Sequence, residues 1–303
     1  MSGENYHIPV MLQPCMEGLN INPDGIYVDV TYGGGGHSKA ILEQLSPQGH
    51  LYGFDQDADA AKRAVQDNRF TFVRSNFRYM KNWLQYYEAL PVDGILADLG
   101  VSSHHFDTME RGFSFRESGP LDMRMNQSAE KTAADIVNQY DLNQLTEIFS
   151  WYGELRNARS IANAIVRSRQ FNGEIQTTGQ LYGIVRKMLN PAREKKDLAK
   201  VFQALRIEVN GELQALSKML ETAVDVLKPG GRLVVISYHS LEDKMVKNFM
   251  RSGNATGEVE KDFYGNPVSV IQQMKGCPIE PTAKEQEENS RSRSAKLRIA
   301  IKK

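Results

Sequence analysis

The sequence predicts an α/β fold, a doubly wound and mainly parallel sheet interrupted by a helical insertion. Three observations carry this. Between residues 26 and 98, short apolar runs of strand length alternate with stretches of helical period. The glycines Gly33 to Gly36 follow the first run and precede a helical stretch, as in ligand-binding α/β folds. The alternation then stops for about a hundred residues, far beyond the ~2 to 6 residues that join neighbouring elements in such a sheet, so a separate piece has been inserted.

Taken in order, Ile26 to Val30 is the first strand. Ser38 is placed to cap a helix through Leu45, and Pro47 to Gly49 turns the chain. Leu51 to Phe54 is a second strand ending at Asp55, Ala58 to Val65 a helix, Phe70 to Val73 a third strand and Met80 to Tyr87 a helix. Ile95 to Ala97 forms the fourth strand and closes at Asp98. Ser102 to Met125 is rich in Gly, Phe, Arg and Ser and reads as irregular. Ala133 to Val137, Leu142 to Trp151, Ala158 to Arg167 and Thr178 to Leu189 carry apolar residues at helical spacing. Ile207 to Leu227 is a long amphipathic helix, Pro229 to Gly231 a turn, Leu233 to Ser237 a fifth strand and Leu241 to Met250 a helix. Residues 251 to 289 give no clear pattern, and Lys296 to Ile301 alternates as a last strand. The expected organisation is a discontinuous sheet domain of residues 1–107 and 207–303, with residues 108–206 inserted as helices. No internal repeat is visible.

Composition narrows the class. The 303 residues carry 37 Lys plus Arg against 37 Asp plus Glu, so net charge gives no sign of a polyanionic partner. A hydrophobic content of 41% with 24% charged residues excludes long disorder and low complexity. Cys15 and Cys277 lie far apart with no ligand-spaced His or Cys, so no metal site and no disulfide scaffold is expected. There is neither a basic leader with an apolar core nor a run near the ~20 apolar residues of a membrane span, so a cytoplasmic, membrane-free protein is expected. Neutrality overall can hide local excess. Arg186, Lys187, Arg193, Lys195, Lys196 and Lys200 face few acids, and Arg291 to Lys303 contains none.

Successive glycines between a strand and a helix let a ligand approach the backbone closely, and the helix start offers unpaired N–H donors. Asp55 lies about twenty residues on, at the end of the second strand, where a carboxylate can accept hydrogen bonds from ribose hydroxyls. Ser38 stands where a dinucleotide fingerprint places its third glycine, so the signal favours an adenosine cofactor over a dinucleotide. Asp98 ends the fourth strand at the same sheet edge, either facing a ligand or capping the next turn. His239, Ser240 and Asp243 include a triad's residue types, but they lie at a strand end and on the next helix without an elbow motif.

Several motifs in chain order closely resemble the MraW/RsmH family. They are His7–Val10, Gly25–Ser38, Asp93–Ser103, Arg111–Phe115, Gly119–Met125, Phe202–Ile207, Ser237–Asp243 and Arg291–Arg298. The resemblance covers nearly the whole chain. It implies a Rossmann-like class I methyltransferase sheet with a helical insertion subdomain, and S-adenosyl-L-methionine as cofactor. It further implies methylation of N4 of a cytidine in the decoding region of bacterial small-subunit (16S) rRNA, within the small ribosomal subunit. By the same resemblance Gly35, Gly36 and His37 line the cofactor, Asp55 holds its ribose, Phe77 packs by the adenine, Asp98 contacts the cofactor, and the insertion recognises RNA. The family usually has Gln where this chain has His105, Asp where it has Asn126, and Arg where it has Lys244. A homodimer is left open.

Methyl transfer from a sulfonium needs positioning more than covalent help. The cytosine N4 lone pair is conjugated, so an acceptor for its N–H would assist, and Asp98 or a backbone carbonyl of Leu99 to Ser103 is the candidate. Arg111, Phe113, Phe115 and Arg116 interleave charge and aromatic surface, which suits RNA but equally suits anchoring the loop. Lys195 and Lys196 are candidates for phosphate contact. A nicotinamide-dependent oxidoreductase and a non-catalytic ribosome-assembly factor are the competing readings. The first lacks a third glycine and a second nucleotide-binding half, and the second does not need an intact Asp55 and Asp98.

Overall fold

Strands form where β-branched and aromatic residues cluster: β1 (Ile26–Asp29), β2 (His50–Asp55), β3 (Phe70–Arg74), β4 (Val92–Asp98), β5 (Leu227–Ser237), β6 (Ile271–Gln273) and β7 (Lys296–Lys302). The computed structural model describes residues 9–100, 108–254, 257–259, 261–264 and 269–303. Its seven strands make one sheet in the order β3-β2-β1-β4-β5-β7-β6. β1 pairs in parallel with β2 and β4, β2 with β3, and β4 with β5, whereas β7 is antiparallel to both β5 and β6. The chain winds outward from β1 to β3 and returns to β4 on the other side of β1. Strand order therefore reverses between β1 and β4, and the crevice for a ligand opens at their carboxyl ends.

Both faces of the sheet are covered, which is why its strands read as almost continuous apolar runs. On one face Val28, Phe54, Ile95, Leu233 and Val235 pack with Leu84 of α4 (Met80–Tyr86), Leu220 of α10 (Glu212–Val226) and Phe249 of α11 (Ser240–Ser252). On the other, Tyr27, Leu51, Leu96, Val234 and Leu297 pack with Leu19 of α1 (Leu12–Leu19) and Ile41 of α2 (Gly36–Leu42). Two shorter helices, α3 (Ala58–Lys62) and α12 (Ala283–Glu288), complete this unit.

The chain separates into two units, dividing after Gly100 and after Glu212. The second has its own core, built on α5 (Ala133–Gln139), α6 (Leu142–Trp151), α7 (Ala158–Asn172), α8 (Thr178–Val185) and α9 (Glu194–Asn210). Helix starts are written into its sequence as capping boxes: Thr132 with Asp135, Asp141 with Gln144, and Thr177 with Gln180. Each satisfies N–H groups that the first turn cannot pair internally.

Several boundaries differ from the sequence expectation, among them the turn expected at Pro229 to Gly231, through which β5 runs unbroken from Leu227 to Ser237. α2 begins at Gly36 and ends at Leu42, and Ser38 is buried inside it with its hydroxyl committed to Asp29, so it does not cap. α3 stops at Lys62 instead of Val65. The helix expected over Ile207 to Leu227 is two helices, because Gly211 takes φ +57° and ends α9 before α10 begins. The expected domain boundary at 206/207 thus falls inside α9, where Leu205 and Ile207 are both buried. α1, β6 and α12 lie in stretches for which no element was expected.

Candidate functional site

The site grows from the end of β1. Asp29 is 1% exposed. Its Oδ1 accepts from the Thr31 amide at 3.0 Å, and its Oδ2 accepts from the Ser38 hydroxyl at 2.7 Å. Burial pushes the Asp29 carboxyl above its ordinary range, opposed first by the Ser38 hydrogen bond. Thr31 Oγ1 in turn accepts from the Asp98 amide at 2.7 Å. One buried carboxylate and one hydroxyl therefore fasten β1, α2 and β4 together around the crevice.

The chain leaves this anchor through the glycine turn. Gly33 and Gly35 take φ +52° and +77°, a region where a Cβ is strained. A Cβ on Gly35 would lie 2.6 Å from the Tyr32 hydroxyl, and one on Gly36 would overlap Pro9 Cγ. A Cβ on Gly34 would meet nothing within 4 Å, so one side of the turn is bare backbone. Asp55 braces the turn from β2: its Oδ2 accepts from the Gly33 amide at 2.8 Å and its Oδ1 from the Asp57 amide at 2.9 Å. Phe77 is half-buried at the start of a 3-10 turn after β3, capped by Asn76. Asn76 donates to Gln56 Oε1 at 3.1 Å, which holds that turn beside the end of β2.

His37 and Asp98 close the crevice. His37 is 7% exposed, with Nε2 3.0 Å from the Val10 carbonyl and Nδ1 3.8 Å from Asp98 Oδ2. Asp98 Oδ1 accepts from the Tyr238 hydroxyl at 2.8 Å and from the Gly100 amide at 3.3 Å. Burial, and then the neighbouring Asp98 charge, push the Tyr238 hydroxyl far above its ordinary range, so it remains a proton donor at any working pH. Among the described residues Asp98 Oδ2 has no hydrogen-bond donor, and His37 Nδ1 stands 3.8 Å from it. The Asp98 side chain stays 21% exposed. Gly35, Gly36, His37, Asp55 and Asp98 are thus brought to one sheet edge.

A family model described as the MraW methylase family matches residues 4–303. The chain belongs to this family. The MraW match agrees with whole-chain similarity to curated proteins named ribosomal RNA small subunit methyltransferase H. Identity is 60% over 301 residues with that of Porphyromonas gingivalis, covering 98% of this chain and 97% of the relative. It is 58% over 299 residues with that of Bacteroides thetaiotaomicron, covering 98% of each. The protein is a methyltransferase, and its cofactor is S-adenosyl-L-methionine. The residues present suit that cofactor. A turn with one bare backbone side and a carboxylate at the end of β2 are what close approach and ribose hydroxyls require.

Asp29 and Tyr238 escaped the sequence reading, although both lie in MraW motifs. Asp29 could have been found as an acid closing an otherwise apolar strand. Tyr238 had no local signal, because its partner is 140 residues away. His239 and Ser240 do not form a triad with Asp243. His239 caps α11 with Glu242, whereas Asp243 accepts from Arg298 at 2.8 and 3.1 Å.

The expected RNA contacts divide. Arg111 is 3% exposed and donates to the Arg124 and Met125 carbonyls at 3.0 Å each. Phe113 is 4% exposed in the helical core, and the half-buried Phe115 packs edge-on against Phe202 at 5.3 Å. Arg111 and Phe113 anchor their loop and are not available to a nucleic acid, because their polar and apolar surface is already consumed, whereas Phe115 keeps part of its ring exposed. Arg116, Lys195 and Lys196 are exposed. His105, with the carbonyls of residues 101–103, lies outside the described residues.

Proposed function

We propose that this methyltransferase transfers a methyl group from S-adenosyl-L-methionine to N4 of a cytidine in the decoding region of bacterial small-subunit (16S) rRNA, acting on the small subunit in the cytoplasm. The observation that carries the reading is Asp98. Its Oδ1 is pinned by Tyr238 and Gly100, and its Oδ2 is left facing the crevice at the carboxyl end of β4. That is an oriented acceptor for an exocyclic N–H. The motifs shared with the MraW family and the rRNA named for the relatives supply the substrate class.

When bound, S-adenosyl-L-methionine supplies a methyl group already activated by the sulfonium charge. The chain's own residues then have to orient the amine and manage its proton. Asp98 Oδ2 accepts the N4–H, drawing the nitrogen lone pair out of conjugation with the ring, and takes the proton directly or through water. The Tyr238 hydroxyl holds the carboxylate in that orientation. The glycine turn, braced by Asp55 and anchored by Asp29, fixes the cofactor's end of the line. Such positioning is worth several kcal/mol, up to about 7 to 11 for near-attack geometry. The base has to leave its stack to reach the site, which favours a single-stranded or opened RNA. No helix among the described residues is long and apolar enough to cross a membrane.

The deciding experiment maps methylated nucleotides of 16S rRNA in a strain with and without this protein. One N4-methylated cytidine that disappears on deletion and returns on complementation is expected. Loss at a different base would overturn the substrate assignment.

A further inference from the structure

We propose that the outward face of α7, through Arg159, Arg167 and Phe171, together with the exposed Arg156 in the turn before it, is a binding surface for single-stranded rRNA. The arginines take backbone phosphates and Phe171 takes a base. The inference rests on the rRNA reading above and assigns that substrate a surface which neither the sequence nor the family motifs single out.

The stretch between Glu154 and Glu174 contains Arg156, Arg159, Arg167 and Arg169 and no acid. The helix sorts these residues by face. Ala158, Ile161, Ala162 and Ile165 are buried, while Arg159, Ser160, Asn163, Arg167, Gln170 and Phe171 are exposed. At about 100° per residue these six fall within an arc of about 120°, and only the terminal Asn172 is exposed outside it. Arg169 lies on the inward side and donates to the Val137 and Tyr140 carbonyls at 2.5 and 2.6 Å, so it has a structural task. Arg156, Arg159 and Arg167 have none. Among the described residues no carboxylate pairs with them, in a chain with as many acids as bases.

The face continues beyond the helix. Asn157 donates to the Met188 carbonyl at 2.8 Å, which holds the exposed Arg186 and Lys187 next to the start of α7. Phe171, at the other end, is 83% exposed. Leaving a phenyl ring in water costs free energy unless a partner covers it, and a base has the matching flat face. Guanidinium forks match phosphate oxygens in a bidentate way, and Asn163, Gln170 and Ser160 add neutral hydrogen-bonding groups between them. Arg159 and Arg167 stand about 12 Å apart along the axis, far enough to meet different phosphates.

The test measures binding of unmodified 16S rRNA to the full chain across a salt series, beside calorimetric titration with S-adenosyl-L-methionine. For Arg156→Ala/Arg159→Ala/Arg167→Ala we expect at least tenfold weaker RNA binding. The slope of log K against log salt should be shallower by about 2, since each single-strand phosphate contact contributes ~0.7. Cofactor affinity and melting temperature should stay unchanged, because these side chains hold nothing else. The corresponding triple Lys variant should keep most of the slope, and Phe171→Ala should weaken binding with the slope intact. Wild-type affinity and slope in the triple Ala variant, with rRNA still bound and methylated by the wild type, would overturn the surface and leave the substrate reading standing. A wild-type chain that binds the cofactor but neither binds nor methylates rRNA would defeat both. An unaltered Phe171→Ala would remove the base contact.

Discussion

Tyr238 donates its hydroxyl to Asp98 Oδ1 at 2.8 Å, joining the residue that follows β5 to the last residue of β4. The pairing of Asp98 with Ile236 in the β4–β5 register puts the two side chains within reach. Their bond leaves Oδ2 as the carboxylate's working oxygen. Asp98→Asn should lower single-turnover methylation at saturating cofactor by at least about 100-fold, in line with loss of a positioned proton acceptor. Near-normal turnover would limit Asp98 to binding the cofactor. Tyr238→Phe should cost less, about tenfold in kcat with little change in KM, as expected for one hydrogen bond to a charged group.

The glycine turn allows two kinds of damage to be told apart. Gly35→Ala places a Cβ at φ +77° and 2.6 Å from the Tyr32 hydroxyl, so it should lower both the melting temperature and cofactor affinity. Gly34→Ala has open space and no positive φ. It should fold normally yet bind S-adenosyl-L-methionine at least about tenfold more weakly, a ~1.4 kcal/mol effect, because its methyl stands on the bare side of the turn. Calorimetry beside thermal unfolding separates the two, and full affinity in Gly34→Ala would place the cofactor elsewhere.

Arg111 and the lysine pair should also separate. Arg111→Ala abandons two part-buried carbonyls and should destabilise the helical unit by about 2 kcal/mol, read as an early transition in denaturant unfolding. Lys195→Ala/Lys196→Ala removes only exposed charge at the start of α9 and should leave stability unchanged while flattening the salt dependence of RNA binding. An unchanged salt slope would exclude the lysines from the RNA interface.

A pH test falls on Asp243. Burial raises its carboxyl, but the Arg298 hydrogen bond and charge outweigh this and hold it below the ordinary carboxylate range. A depressed folded value stabilises above the unfolded value and loses that contribution as the pH falls through the folded one. Asp243→Asn should therefore cost about 3 kcal/mol at neutral pH by leaving Arg298 buried without its partner. The cost should be complete above about pH 4 and shrink below it. Equal acid-unfolding midpoints for the two proteins would contradict this.

The parallel strands were legible because each carries its own apolar run, and the glycine turn with Asp55 was legible because a ligand turn needs residues at fixed local spacing. The break at Gly211 was not, because the apolar period runs through it from α9 into α10. Arg111 and Phe113 were legible as residue types but not as buried ones, since the carbonyls and core they fill come from elsewhere in the insertion.

Local periodicity in the sequence was enough to place the sheet and its helical insertion, whereas Gly35, Gly36, His37, Asp55 and Asp98 were named as cofactor residues through the motifs shared with the MraW family. Tertiary structure alone decided which oxygen of Asp98 is held and which arginines are left to meet a partner. Those outcomes depend on pairing across the fold: Tyr238 reaches Asp98 only through the β4–β5 register, and Arg169 differs from Arg167 only in which way it faces.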